Sequence, residues 1–150
     1  MVLLSRNFSL AELTVSDVAR DLGERNRPGA EQLANLRALA LGLEQVRAIL
    51  GNRPITIDSA FRNDRVNEAV GGVPNSAHAI GLAADFTIAG LSAADAARKL
   101  AASWLQFDQL ILETSRGVCH ISFAPTLRRQ VLTQAKGPGS PVTPGLPKAK

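Results

Sequence analysis

His78 and His120 are the only two histidines of this 150-residue chain. His78 lies in Ser76-Ala-His78-Ala-Ile-Gly81-Leu-Ala83-Ala-Asp85, and His120 in Val118-Cys119-His120-Ile121-Ser122. Two imidazoles and one carboxylate make a three-ligand zinc set. Such a set leaves a fourth position open for water, which separates catalytic zinc from structural zinc. The chemistry that follows is hydrolysis. Taken singly, each residue has a plainer reading: a histidine in the core or at the surface, an aspartate capping a turn. Together, the spacing from His78 to Asp85 lets a loop ligand and a strand ligand converge. Gly81, Ala83 and Ala84 let the backbone pack closely around the carboxylate. His120 shares a strand face with Val118 and Ser122, so Cys119 points toward the core and is not counted as a ligand.

The elements that must position these residues follow from local patterns. Ser9 and Glu12 have capping-box spacing behind Phe8, which predicts a helix start. A second short helix is expected over Ser16–Leu22, and Gly23–Gly29 reads as a loop. Leu33, Leu36, Ala40, Leu43, Val46 and Leu50 recur at helical steps, which predicts a long helix from Ala30 to Leu50 closed by Gly51. Residues Ile55 to Arg62 alternate as a strand. Ile55, Ile57, Ser59 and Phe61 then face one way, and Thr56, Asp58, Ala60 and Arg62 the other. A short helix or turn leads to the Gly71-Gly72 loop. Leu82–Ile88 reads as a strand with Asp85 opposite Phe86 and Ile88. Ser92 caps a helix running to Trp104. Phe107–Glu113 and Val118–Phe123 form a hairpin around Ser115-Arg116-Gly117. Thr126–Ala135 is expected as a final helix.

The composition fits one soluble domain with a real core, with 45% apolar residues and few aromatics. The expected division is a domain over 1–135 and a Pro/Gly/Lys tail or linker over 136–150. The single cysteine excludes an intramolecular disulfide. No run approaches a membrane span, and the N-terminus lacks the pattern of a secretory signal. The net charge of +4 is uneven: residues 114–150 carry six Lys/Arg and no acid. That end either attracts a polyanion, such as an acidic cell wall, or merely solubilises the chain. Nucleic acid is not the expected partner, because no basic helix or aromatic stacking motif accompanies the charge.

Ser59-Ala-Phe-Arg62, then Ser76-x-His78-x-x-Gly81-x-Ala83-x-Asp85, then a late strand with His120 resembles the D-alanyl-D-alanine carboxypeptidase-like zinc peptidases. That group includes VanX- and VanY-type dipeptidases, peptidoglycan endopeptidases and phage endolysins, and its fold is similar to the Hedgehog signalling domain. Asn7-Phe8-Ser9-x-x-Glu12-Leu13, Asn67-x-Ala69-Val70-Gly71-Gly72 and Phe107-Asp108-Gln109-Leu-Ile111 resemble its small phage-type branch. The resemblance spans about residues 7 to 125. It implies zinc (Zn2+) held by His78, Asp85 and His120. It implies that Arg62 binds a peptide carboxylate or the oxyanion formed on attack, with Ser76 as a further substrate contact. The alternative for Arg62 is a salt bridge to Asp58. Many relatives carry an acid three positions before the last histidine, where this chain has Gly117. Glu113 is the nearest candidate general base, brought back by the hairpin, and Asp108 is the alternative. Val118 stands where the phage-type pattern has Trp.

The expected fold is therefore α+β, a small mostly antiparallel sheet with helices packed on one side. The expected function is a zinc peptidase cutting peptidoglycan stem or cross-bridge peptides. The setting is a phage endolysin, made in the bacterial cytoplasm and released by a holin, or a virion-associated wall-degrading protein whose tail contacts a neighbour. The alternative is a catalytically inactive zinc module that binds wall or scaffolds a virion.

Overall fold

The computed structural model describes residues 1–74, 76–137 and 139–148. Its element order is α1 (Leu10–Thr14), α2 (Asp17–Asp21), α3 (Ala30–Ile49), β1 (Ile55–Ser59), α4 (Asp64–Ala69), α5 (Ala77–Ile80), β2 (Ala83–Ile88), α6 (Ala93–Ala101), β3 (Gln109–Glu113), β4 (Val118–Ser122), β5 (Gln130–Gln134) and β6 (Thr143–Pro144). The six strands form one sheet in the order β1-β2-β4-β3-β5-β6. Every pairing is antiparallel except β3 with β5. This is the expected α+β class with a mostly antiparallel sheet.

The apolar stripe of α3 drives the packing. Leu36, Leu39, Ala40, Leu43 and Val46 are all fully buried. They join Ala84, Phe86, Leu110, Leu112, Cys119 and Ile121 from the sheet and Ala97 and Leu100 from α6 in one core cluster. β2, β3 and β4 therefore give their alternate residues to this core, which leaves Asp85, Glu113 and His120 for the other face. The N-terminal capping box of Ser9 and Glu12 forms as read. So does the cap of α6 by Ser92.

Two expectations are corrected. The strand alternation does not run through to Arg62. β1 ends at Ser59 with a register shift after Ile57, and Ala60 and Phe61 are both buried. The departing chain is held by Asn26, whose side-chain amide donates to the carbonyls of Thr14 and Phe61 and whose oxygen accepts from the Asn63 N–H. The expected helix over Thr126–Ala135 is not formed. Asp108 accepts hydrogen bonds from Thr126 Oγ1 and from the backbone and side chain of Arg128. Leu127 and Arg129 sit at positive φ, 40° and 53°, which is incompatible with a right-handed helix. Gln130–Gln134 then pairs along the free edge of β3. The segment read as a tail contributes Thr143–Pro144, which pairs with β5.

One tight approach fixes α5. Gly81 closes this helix at φ 85°, and a Cβ there would lie 2.9 Å from the Gln32 carbonyl oxygen of α3. Asn35 of α3 donates to the Ile80 carbonyl at 2.8 Å. Gly81→Ala is expected to lose about 1–3 kcal/mol, the usual cost of forcing a side chain into such a conformation. Urea denaturation of the variant checks this; an unchanged midpoint would mean that α3 does not hold the end of α5.

Candidate metal centre

The centre is assembled by strand register and one short helix. Asp85 of β2 stands directly opposite His120 of β4, and Ile111 of β3 opposite His120 on the other side. His78 enters from α5, which is capped by the Ser76 hydroxyl and closed by Gly81. His78 and Asp85 are buried, and His120 is partly buried.

One hydrogen bond fixes the chemistry of His78. Its Nδ1 lies 2.7 Å from the Ala60 carbonyl oxygen. A carbonyl only accepts, so Nδ1 carries the proton and Nε2 presents a lone pair in the neutral ring. Burial pushes the His78 imidazole below its ordinary pKa, against the pull of Asp85, and so favours this neutral form. Its Nε2 faces Asp85 Oδ1 at 3.2 Å and His120 Nδ1 at 3.2 Å, while His120 Nδ1 lies 2.9 Å from Asp85 Oδ1. Burial alone would raise the Asp85 carboxyl, yet the charge and hydrogen bonding around it hold it well below its ordinary value. Three electron-rich atoms thus converge in a buried place. Zinc donors at about 2.0–2.2 Å from an ion stand roughly 3.3–3.5 Å apart in a tetrahedral arrangement, close to the 2.9–3.2 Å separations found here. A divalent cation fits this donor set, and it would be held by His78, Asp85 and His120.

These residues open into a cleft of about 210 Å³ that Arg62, Ser76, Glu113, Arg116, Gln134 and Gly139 also line. Glu113 ends β3 on the face that carries His120. It is buried, and burial together with the neighbouring Asp85 raises its carboxyl above the ordinary glutamate value. Arg62 does not pair with Asp58. Asp58 bonds Arg116 instead, and Arg62 forms no ion pair among the described residues. Its buried Nε has no hydrogen-bond partner, and burial lowers the guanidinium's pKa. A forked donor with spare hydrogen-bonding capacity therefore lines the cleft. Ser76 lines it too, but its hydroxyl is already engaged, accepting from Ala79 N–H and donating to Asn67 Oδ1 at 3.1 Å.

Asp108, the alternative base, is not among the residues lining this cleft. Its carboxylate is committed to Arg128 and Thr126, which hold its pKa far below the usual range. Cys119 faces the core as expected. Its thiol donates to the Ala93 carbonyl, and burial pushes its pKa up to about 12. Sequence reasoning missed four contributors. Arg116 reads as a solvated turn residue, although its i,i+3 spacing from Glu113 was available as a signal. The Ala60 carbonyl has no side-chain signature. Gln134 and Gly139 belong to the stretch read as helix and tail.

Residues 6–122 match the peptidase M15 family model. The chain is also similar to the zinc D-Ala-D-Ala carboxypeptidase of Streptomyces albus G, with 35% identity over 79 residues. That alignment covers 53% of this chain and 30% of the relative, so the chain matches about a third of that protein's length.

The donor set leads to a direct expectation. The purified chain should bind one zinc per molecule, and His78→Ala, Asp85→Ala and His120→Ala should each lose most of it, as measured by atomic absorption after gel filtration. Full occupancy in the His120→Ala protein would remove His120 from the set.

Proposed function

The chain belongs to the peptidase M15 family, and from that premise we propose that it is a zinc-dependent peptidase that hydrolyses peptidoglycan stem or cross-bridge peptides. The observation that carries the reading is the convergence of His78 Nε2, Asp85 Oδ1 and His120 Nδ1 in a cleft that also holds Glu113 and Arg62. The similarity to a D-Ala-D-Ala carboxypeptidase supports a wall peptide as the substrate class. The resemblance to the small phage-type branch supports a phage setting, as an endolysin or a virion-associated enzyme acting at the cell wall.

Zinc, when bound, supplies Lewis acidity and makes water nucleophilic near neutral pH. The chain's own groups divide the remaining work. Glu113 takes the proton of the attacking water and returns it to the leaving amine. Its raised pKa keeps it a better base than an exposed glutamate, and its burial limits exchange of that proton with solvent. Arg62 receives the substrate carboxylate or the oxyanion of the tetrahedral state, with an Nε that has no other partner. Asp108 is left with a structural role in the β4–β5 connection.

Digestion of purified sacculi by the zinc-loaded chain, with fragments identified by mass spectrometry, tests the reading and names the scissile bond. Intact peptides across sacculi of several wall types would leave a binding module in its place. Glu113→Gln should keep zinc and fold yet lose at least about 100-fold in turnover, within the range for loss of a general base. The active form needs Glu113 deprotonated, so kcat/KM should fall as pH drops through its pKa. A pH–rate profile measured at fixed zinc loading checks the sign, and loss of that acid limb in Glu113→Gln assigns it.

A further inference from the structure

The hairpin between β3 and β4 folds Arg116 back over the centre. Gly117 at φ 65° makes the turn possible, and its N–H donates to the Glu113 carbonyl at 2.9 Å. The Arg116 guanidinium then meets three carboxylates. Nη2 donates to Glu113 Oε2 at 2.7 Å and to Asp85 Oδ2 at 2.9 Å, and Nη1 donates to Asp58 Oδ2 at 3.3 Å.

The two oxygens of Asp85 are divided by this contact. Oδ1 faces the two imidazoles, and Oδ2 is held by Arg116. Without a donor on Oδ2 the carboxylate could rotate about its last torsion and offer either oxygen to the centre. The same nitrogen holds Glu113, whose negative charge would otherwise repel Asp85 across the cleft. One cation thus serves two acids that the proposed reaction uses in different ways. Outer partners of this kind orient the groups that hold a metal and keep them in a defined geometry.

We propose that Arg116 is a positioning residue that fixes Asp85 Oδ1 toward the histidines and holds Glu113 beside them. The proposal rests on the peptidase reading for its catalytic half and on the donor set alone for its metal half. Arg116 acts through Asp85 and Glu113 and needs no contact with substrate. A guanidinium suits the task because it is a planar fork of donors, whereas an ammonium is a single point charge.

The test uses the full chain with Arg116→Ala and Arg116→Lys. Zinc affinity is measured by chelator competition, and kcat and KM at saturating zinc on soluble muropeptides. Circular dichroism establishes that each variant is folded. In the alanine variant, zinc affinity should fall about 10- to 100-fold, the usual range for loss of such a partner. Its kcat should fall at least tenfold with KM within about threefold, a split expected when positioning rather than substrate binding is lost. The lysine variant should recover part of the zinc affinity and less of kcat. Zinc affinity and kcat at the wild-type level in a folded alanine variant would overturn the proposal. Should that variant fail to fold, wild-type values in the lysine variant would overturn it equally. If the wild-type chain binds zinc but cleaves no muropeptide, the peptidase reading fails. The zinc affinities of the two variants then still decide the role of Arg116 at the metal centre.

Discussion

Asp85 and His120 stand opposite one another because β2 and β4 pair in one register and no other. In that register Ala84 and Phe86, Cys119 and Ile121 fill the core, while Asp85 and His120 turn to the cleft. A slip of one residue would exchange these sets, burying a carboxylate and an imidazole in apolar surroundings and exposing Phe86 and Ile121. The hydrophobic pattern therefore does more than hold the sheet together. It selects the register, and the register makes the centre. The same pairing carries outward to β3, where Ile111 lies beside His120 and Glu113 emerges at the end of the cleft.

That centre is expensive to build. Asp85 is 3% exposed, and an ionised carboxylate at that depth needs compensation. Compensation comes from Arg116 on Oδ2, with Arg62 nearby, and from the cation that the donor set would hold on Oδ1. His78 is in turn tied to the Ala60 carbonyl, whose strand has just left the sheet and is held in its new course by Asn26. The loop around Asn26 is thus coupled to the tautomer of His78 through two hydrogen bonds. An apolar core of the same volume would be simpler to stabilise. The retained charges mark this face of the sheet as the functional one.

Much of this placement is legible in the sequence. The seven-residue step from His78 to Asp85, with glycine and alanines between, signalled a close turn into a strand. The period-two alternation of β4 put His120 and Cys119 on opposite faces. Glu113 was reachable because a short hairpin returns a strand end to its partner. What escaped has physical reasons. Arg116 lies in a turn, where arginine is normally solvated, and its three acidic partners come from separate strands. The strand at Ile55 reads too long in sequence because Ile55, Ile57 and Phe61 alternate with Thr56, Asp58 and Arg62, while the Asn26 contacts that bend the chain lie 35 or more residues away in sequence. Gln130–Gln134 carries no decisive period of its own. Its state is set by the Asp108 clamp and by the open edge of β3, neither of which is local.

The same non-local pairing explains how residues beyond the family match bear on the cleft. The match ends at residue 122, inside the sheet and with β3 still unpaired on its outer side. An edge strand with free N–H and C=O groups is less constrained than a central one, and β3 is the strand that ends in Glu113. β5 covers that edge, placing Gln134 opposite Glu113, and the Thr114 N–H donates to the Gln134 carbonyl at 3.0 Å. β6 then covers part of β5, with the Gly145 N–H donating to the Val131 carbonyl and Thr133 Oγ1 to the Gly145 carbonyl. The Gln134 amide reaches back to the Ser140 carbonyl, on the segment that brings Gly139 to the cleft wall. Glu113 is accordingly gripped on three sides: by β4 through the hairpin, by β5 along the former edge, and by Arg116 at its carboxylate. The role proposed for Glu113 gains from such restraint, because small displacements of a catalytic group are costly. The C-terminal residues therefore belong to the physics of the site, although they fall outside the stretch by which the family is recognised.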